Sequence, residues 1–255
     1  MTMAKPIFVL LHGAWHTPQC WATLTKALDR AGYDAVAPQM PSSGSNPPTP
    51  DWVQDIQVIR HTVTKLADDN KEIVLVVHSF SGMTGGTALE GLGKQERQKH
   101  DLPGGVIRLV YINAFLVGES FQHSKDGTRD NMLEEMKVDF EKGIVTVNPE
   151  DAKGLLYQDL SDSVVAELAN DLRPQSLASF WSTTTYASWR YIPTTYILCT
   201  KDKPSTVVAA RYLVENAKAS GEHRIEKLIE IEAGHSPFLS KTDEISELLI
   251  GEAEG

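Results

Sequence analysis

One stretch limits this chain to very few architectures: Val74-Leu75-Val76-Val77-His78-Ser79-Phe80-Ser81-Gly82-Met83. A β-branched run without polar alternation is what a strand covered on both faces requires. Small residues follow, Ser81, Gly82, Thr84, Gly85, Gly86, Thr87 and Ala88, and they read as a closely packed helix. A fully buried strand passing straight into such a helix belongs to an open parallel α/β sheet. The serine at the corner is then lifted past the carboxyl end of the strand, where such sheets place their ligands. The pattern approaches G-x-S-x-G, with Val77 and Ser81 at the glycine positions. On this pentapeptide alone, a Ser79 that merely caps the helix fits equally well.

The rest of the chain supplies the context. Strands are expected at 7–11, 35–37, 73–77, 106–112, 194–199 and 225–231, the first as a buried run and the third as the central strand. Between them lie helical patterns: one ends at Gly32, one opens at Thr49 and Pro50 and carries Trp52, Ile56, Ile59, Val63 and Leu66, and others cover 79–92, 205–219 and 237–250. Strands alternating with helices mean a mostly parallel sheet, here of about six strands flanked by helices. The alternation breaks over 115–189, where Ile144-Val145-Thr146-Val147 is the one strand-like run and Asn148-Pro149 and Ser161 open short helices. We therefore expect a core in two parts, 1–114 and 190–255, with a helical cap inserted at 115–189. The insertion is rich in aromatics, most of which are expected to form its own small core. Trp15, Phe115, Trp181 and Trp189 are the candidates for a substrate pocket.

Composition removes several function classes. The net charge of −10 across 255 residues is the opposite of what phosphate binding needs, so nucleic acid is not an expected partner. The apolar run at 7–11 is too short for a signal segment or a membrane span. Cys20 and Cys199 are far apart and read as buried thiols, so a cytoplasmic protein is expected. Motifs for nucleotide phosphates and zinc are missing, and neither cofactor nor metal is expected. The partners expected are a small-molecule substrate and, at most, a second copy of the chain as a homodimer.

A serine hydroxyl needs a histidine to take its proton and an acid to orient that histidine. Asp202 lies just past the strand at 194–199, and Gly234-His235 just past the strand at 225–231. Both loops open on the sheet edge that carries Ser79, in the order serine, acid, histidine. Each alone has a plainer reading, Asp202 as a turn residue and His235 as a helix cap; the coincidence of three strand ends is what favours a triad. His16, His61, His100, His123 and His223 make no motif. An oxyanion site needs two N–H donors, and Phe80 after the serine and Ala14 in the His12-Gly13-Ala14 loop are placed to supply them.

Taken together, Phe8-Val9-Leu10-Leu11-His12-Gly13-Ala14-Trp15, His78-Ser79-Phe80-Ser81-Gly82, the Asp202 loop and Gly234-His235 resemble the α/β-hydrolase superfamily. Trp15, Trp21 and the early Ser/Pro loop are similar to its small branch of methylesterases and hydroxynitrile lyases. The likeness covers about residues 5–117 and 190–250. It implies Ser79 as nucleophile, His235 as general base and acid, Asp202 as its orienter, and Ala14 and Phe80 as oxyanion donors. Hydroxynitrile lyases of this branch typically carry threonine where this chain has Gly13 and lysine where it has Ser236. The resemblance thus implies hydrolysis of a small, largely apolar ester or lactone. The alternatives are lyase, retro-aldol or cyclisation chemistry on the same fold, with Ser79 and His235 as acid and base, or a small-ligand receptor.

Overall fold

The computed structural model describes residues 5–255. The chain begins with β1 (Ile7–Leu11), α1 (Ala22–Arg30), β2 (Ala35–Val36), α2 (Val53–Asp68), β3 (Glu72–His78), α3 (Ser81–Ala88), α4 (Lys94–Gln98) and β4 (Gly105–Ile112). The insertion carries β5 (Met136–Asp139), β6 (Ile144–Val147), α5 (Pro149–Leu156), α6 (Asp162–Asn170) and β7 (Gln175–Ser176). Then come β8 (Thr194–Cys199), α7 (Val207–Ala219), β9 (Ile225–Ile231), α8 (Pro237–Ser240) and α9 (Thr242–Glu254). Six strands form one sheet in the order β2-β1-β3-β4-β8-β9, every pair parallel. The expected fold is therefore the observed one. Among the described residues no helix is long and apolar enough to cross a membrane.

Strand β3 shows why its sequence admits no polar residue between Ile73 and Val77. Ile73, Leu75 and Val77 pack with Ile59, Val63, Ala88, Ala210 and Val214 on one face, while Val74 and Val76 pack with Leu24, Leu28, Ile245 and Leu249 on the other. Each such side chain contributes about 1.5–3 kcal/mol by leaving water. The crossing of α3 over β3 is equally specified. A Cβ at Gly85 would lie 2.6 Å from Val77 Cγ1 and 3.2 Å from Leu11 Cδ1, and one at Gly82 would lie 2.6 Å from the backbone N and O of Phe115. The space that a glycine at position 77 would leave is thus supplied across the contact by Gly85.

Differences from expectation have local causes. Helix α2 starts at Val53 rather than at Pro50, because the Asp51 carboxylate accepts the Val53 N–H at 2.7 Å and Thr49 donates its hydroxyl to the Asp51 carbonyl, also at 2.7 Å. The C-terminal helix is broken at Lys241, between α8 and α9. In the insertion, α5 and α6 begin where Asn148-Pro149 and Ser161 signal them. The insertion also builds an antiparallel sheet β5-β6-β7, with Met136 opposite Val147 and Ile144 opposite Ser176. Its apolar side, Val145, Leu155, Leu156, Leu177 and Phe180, shares one cluster with Trp15, Phe80 and Met83 of the core.

Several ionisable groups are buried as well. Burial lowers the pKa of His12 to about 4, of His16 to about 3 and of His123 to about 4, and takes His78 well below its ordinary value. Burial also raises Asp55 to about 6, against the hydrogen bonds it accepts from the Ser42 N–H at 2.8 Å and from the Ser42 hydroxyl.

Two outcomes are expected. Gly85→Ala alone overpacks the α3–β3 contact and lowers the urea-unfolding free energy by about 1–3 kcal/mol, and adding Val77→Ala restores part of it; an unchanged Gly85→Ala protein would refute the contact's role. The buried histidines stay neutral in the fold but gain protons on unfolding once the pH falls below 6.5, so the stability they allow at neutral pH is lost between pH 6.5 and 4. Asp55 acts in the opposite sense, being less costly as pH falls through 6. With at least three histidines against one carboxyl, unfolding free energy should fall by about 3 kcal/mol or more from pH 7 to pH 5. A flat profile in urea titrations would contradict this.

Candidate active site

Ser79 sits at the corner between β3 and α3 with φ at 54°, a conformation that costs a non-glycine residue about 1–3 kcal/mol. The surroundings hold it there. Its N–H donates to the Ile112 carbonyl at 3.3 Å, and its own carbonyl accepts from Gly82 N–H at 3.1 Å and Phe115 N–H at 3.2 Å. Gly13 approaches so closely that a Cβ there would lie 2.9 Å from both Ser79 Cβ and His78 Nδ1. Ser81, at the second glycine position of the motif, donates its buried hydroxyl to the His12 carbonyl and so ties the start of α3 to the loop after β1. The two departures from G-x-S-x-G are therefore absorbed, Val77 by Gly85 and Ser81 by His12.

The expected partners converge on this corner. His235 Nε2 lies 3.0 Å from Ser79 Oγ, and His235 Nδ1 lies 2.9 Å from Asp202 Oδ2 and 3.1 Å from Oδ1. Both partner residues are buried. The Nδ1 contacts to a carboxylate put the ring proton on Nδ1 and leave Nε2 free to accept from the serine hydroxyl. The Ser205 N–H, 3.3 Å from Asp202 Oδ1, helps hold the acid.

Four further residues fix the histidine's backbone, and nothing in their local patterns announces it. Gln158 Oε1 accepts the His235 N–H at 2.8 Å, and Asp159 Oδ2 accepts the Gly234 N–H at 2.9 Å. A Cβ at Gly234 would lie 2.6 Å from Gln158 Oε1, so any larger residue there would push this amide away from the His235 N–H. From the core side, His78 Nε2 donates to the His235 carbonyl at 2.9 Å, and Asn113 Nδ2 reaches the same oxygen at 3.3 Å while its Oδ1 accepts the Cys199 N–H at 2.8 Å. Asn113 thus bridges the ends of β4, β8 and β9.

Ala14 and Phe80 line the same cavity as Ser79, and among the described residues neither N–H has a protein acceptor. The loop that carries Ala14 is rigid for identifiable reasons. His12 Nδ1 donates to the Gly13 carbonyl at 2.9 Å and its Nε2 accepts the Met40 N–H at 3.1 Å; His16 Nδ1 donates to the Ala14 carbonyl at 3.0 Å and its Nε2 accepts from the Tyr157 hydroxyl at 3.0 Å. Trp15, at φ 64°, donates its indole N–H to the Val145 carbonyl at 3.0 Å. His16 makes no motif in the sequence, yet it buttresses this loop.

A cavity of about 370 Å3 opens on Ser79 and His235. Trp15 and Phe115 line it, as expected; Trp181 and Trp189 do not. Trp189 is packed inside the core with its indole N–H on the Val117 carbonyl, and Trp181 spends its N–H on the Thr128 carbonyl within the insertion, each at 2.8 Å. The wall is instead completed by Phe121, His123, Met136 and Phe180 from the insertion and by Tyr212 from α7. Among the described residues no cluster of His, Cys, Asp or Glu is arranged to hold a metal ion.

Comparison with known proteins gives the family and the fold. The chain is 30% identical over 246 residues to Alpha/beta hydrolase nvfD of Aspergillus novofumigatus, covering 94% of each chain, and 25% identical to Methylesterase 7 of Arabidopsis thaliana, covering 95% of this chain and 94% of the relative. The crystal structure of polyneuridine aldehyde esterase superposes with a TM-score of 0.75 at 23% identity, over 97% of this chain and 99% of that one. Residues 8–248 match the alpha/beta hydrolase family over nearly the whole sheet, insertion included, and the chain belongs to that family.

Proposed function

We propose that this protein hydrolyses a small, largely apolar carboxylic ester or lactone through an acyl-Ser79 intermediate, with the 115–189 insertion acting as a cap over the cavity. The observation that carries the reading is the hydrogen-bonded chain Ser79 Oγ, His235 Nε2, His235 Nδ1, Asp202, at 3.0 and 2.9 Å. As Ser79 Oγ attacks the ester carbonyl, His235 Nε2 takes the hydroxyl proton, and Asp202 stabilises the resulting imidazolium. The carbonyl oxygen, now negative, receives the N–H groups of Ala14 and Phe80. Collapse of the tetrahedral species expels the alkoxide, which His235 protonates. Water then gives a proton to His235 as its oxygen attacks the acyl carbon, and collapse breaks the bond to Ser79 Oγ, which takes the proton back from His235 as the acid leaves.

The names of the similar proteins Methylesterase 7 and polyneuridine aldehyde esterase support ester cleavage. Two positions favour it over cyanohydrin cleavage. A threonine at Gly13 would drive its Cβ to 2.9 Å from Ser79 Cβ, and Ser236 offers a buried hydroxyl rather than a cation for a leaving cyanide.

The test is labelling with a fluorophosphonate followed by peptide mapping. Ser79 should be the labelled residue, lost in Ser79→Ala and kept in Ser81→Ala; a well-folded wild type that does not label would sink the reading. On any ester turned over, Asp202→Asn should lower kcat on the order of 10^4-fold, and a loss below tenfold would remove Asp202 from the triad.

A further inference from the structure

The apolar wall of the cavity is interrupted by an imidazole that hydrolysis does not use. His123 is 7% exposed, borders the same cavity as Ser79 and His235, and stands with its ring centroid 5.4 Å from Phe115 and 5.2 Å from Phe180. Its two nitrogens differ. Ser124 Oγ gives its single proton to the Asp130 carbonyl at 2.5 Å, so towards His123 Nδ1, 2.9 Å away, it can only accept. Nδ1 therefore carries the ring proton, and Nε2 presents a bare lone pair.

Nothing among the described residues donates to that lone pair, and it is not sealed in either. His78 Nδ1 is enclosed by protein without a partner, whereas His123 Nε2 is not among the enclosed atoms. The open space that His123 borders is the cavity. Asn131 Nδ2 donates to the His123 carbonyl at 2.8 Å and ties down the backbone that carries the ring. Its burial keeps the ring neutral, with a pKa lowered to about 4. A fixed, neutral acceptor in an apolar pocket is satisfied by a ligand that brings an N–H or O–H, and it discriminates against one that brings only lone pairs.

We propose that His123 selects substrates whose apolar body carries one neutral hydrogen-bond donor, a hydroxyl or N–H, received by Nε2. This rests on the ester-hydrolase reading for the position of the scissile carbonyl. That carbonyl is served by Ser79, Ala14 and Phe80, so the donor lies elsewhere on the molecule. The donor is neutral because no Asp or Glu lines the cavity among the described residues. Phe115, Phe121 and Phe180 supply the apolar surface that the body covers.

A matched series of methyl esters tests it: those of 2-, 3- and 4-hydroxyphenylacetic acid and of the 3-(hydroxyphenyl)propanoic acids, each with its O-methyl ether and its unsubstituted parent. At least one hydroxyl isomer should exceed both its ether and its parent by about tenfold in kcat/KM, chiefly through KM. That ratio should fall to about one in His123→Phe and return in part in His123→Gln, whose amide oxygen can stand near the place of Nε2. Fluorophosphonate labelling of Ser79 with no hydroxyl preference anywhere in the series overturns the role of His123 and leaves hydrolysis standing. Calorimetric titration of the same esters into Ser79→Ala reads the preference without chemistry. Tighter binding of a hydroxyl isomer there supports His123 even if no ester is cleaved, and equal affinities throughout overturn it.

Discussion

Everything in this molecule that bears on chemistry depends on how closely α3 can lie against the end of β3. The approach is set by atoms that are missing: the side chains of Gly82 and Gly85 would collide with Phe115 and Val77, and that of Gly13 with Ser79 itself. With those volumes empty, Ser79 is held at positive φ by backbone hydrogen bonds on both sides, and its hydroxyl stands clear of the sheet. Strain at one residue is tolerated because two fully buried apolar layers over-determine the strand that leads into it. The glycines need not occupy the motif's own positions; they need only occupy the contact.

Much of this is legible in the sequence. β1 and β8 run over the residues that their apolar patterns mark, because a strand buried on both faces leaves a nearly continuous apolar run in the sequence; β9 also runs over the expected residues, although it is the edge strand and carries Glu226, Lys227 and Glu230 on its exposed positions. The strand-end logic also brought Ser79, Asp202 and His235 to one edge of the sheet. The small sheet of the insertion was less visible. β5 is four residues with two of them charged, and β7 is two polar residues, too little for any period to show. Nor does sequence separate an aromatic that lines a cavity from one that fills a core, since both are buried. That is why Trp181 and Trp189 look like pocket residues while Phe121 and Phe180 read as part of the insertion's own core.

The residues that pattern reading missed share a property: they act through their neighbours' backbones. Asn113 and His78 bond to backbone groups of loops that come from other strands, while His12 and His16 donate within their own loop and reach distant segments through their second nitrogens, His12 to the Met40 N–H and His16 to the Tyr157 hydroxyl. Such contacts have no spacing rule, because the partners are brought together only by the finished sheet. Burial makes each of these histidines a neutral, tautomer-fixed strut, and the molecule carries the cost as sensitivity to acid.

The grip of Gln158 and Asp159 on the Gly234-His235 loop has a consequence for how this protein can diverge. Insertions between sheet strands are natural places for new specificity to arise, since they can be lengthened, shortened or exchanged without disturbing the sheet. Here the insertion also holds the backbone of the histidine, so it is not a free accessory. A chimera that imports another protein's insertion inherits its pocket walls together with its hold on that histidine. Only donors that bring an acceptor pair equivalent to Gln158 and Asp159 leave the imidazole aimed at Ser79.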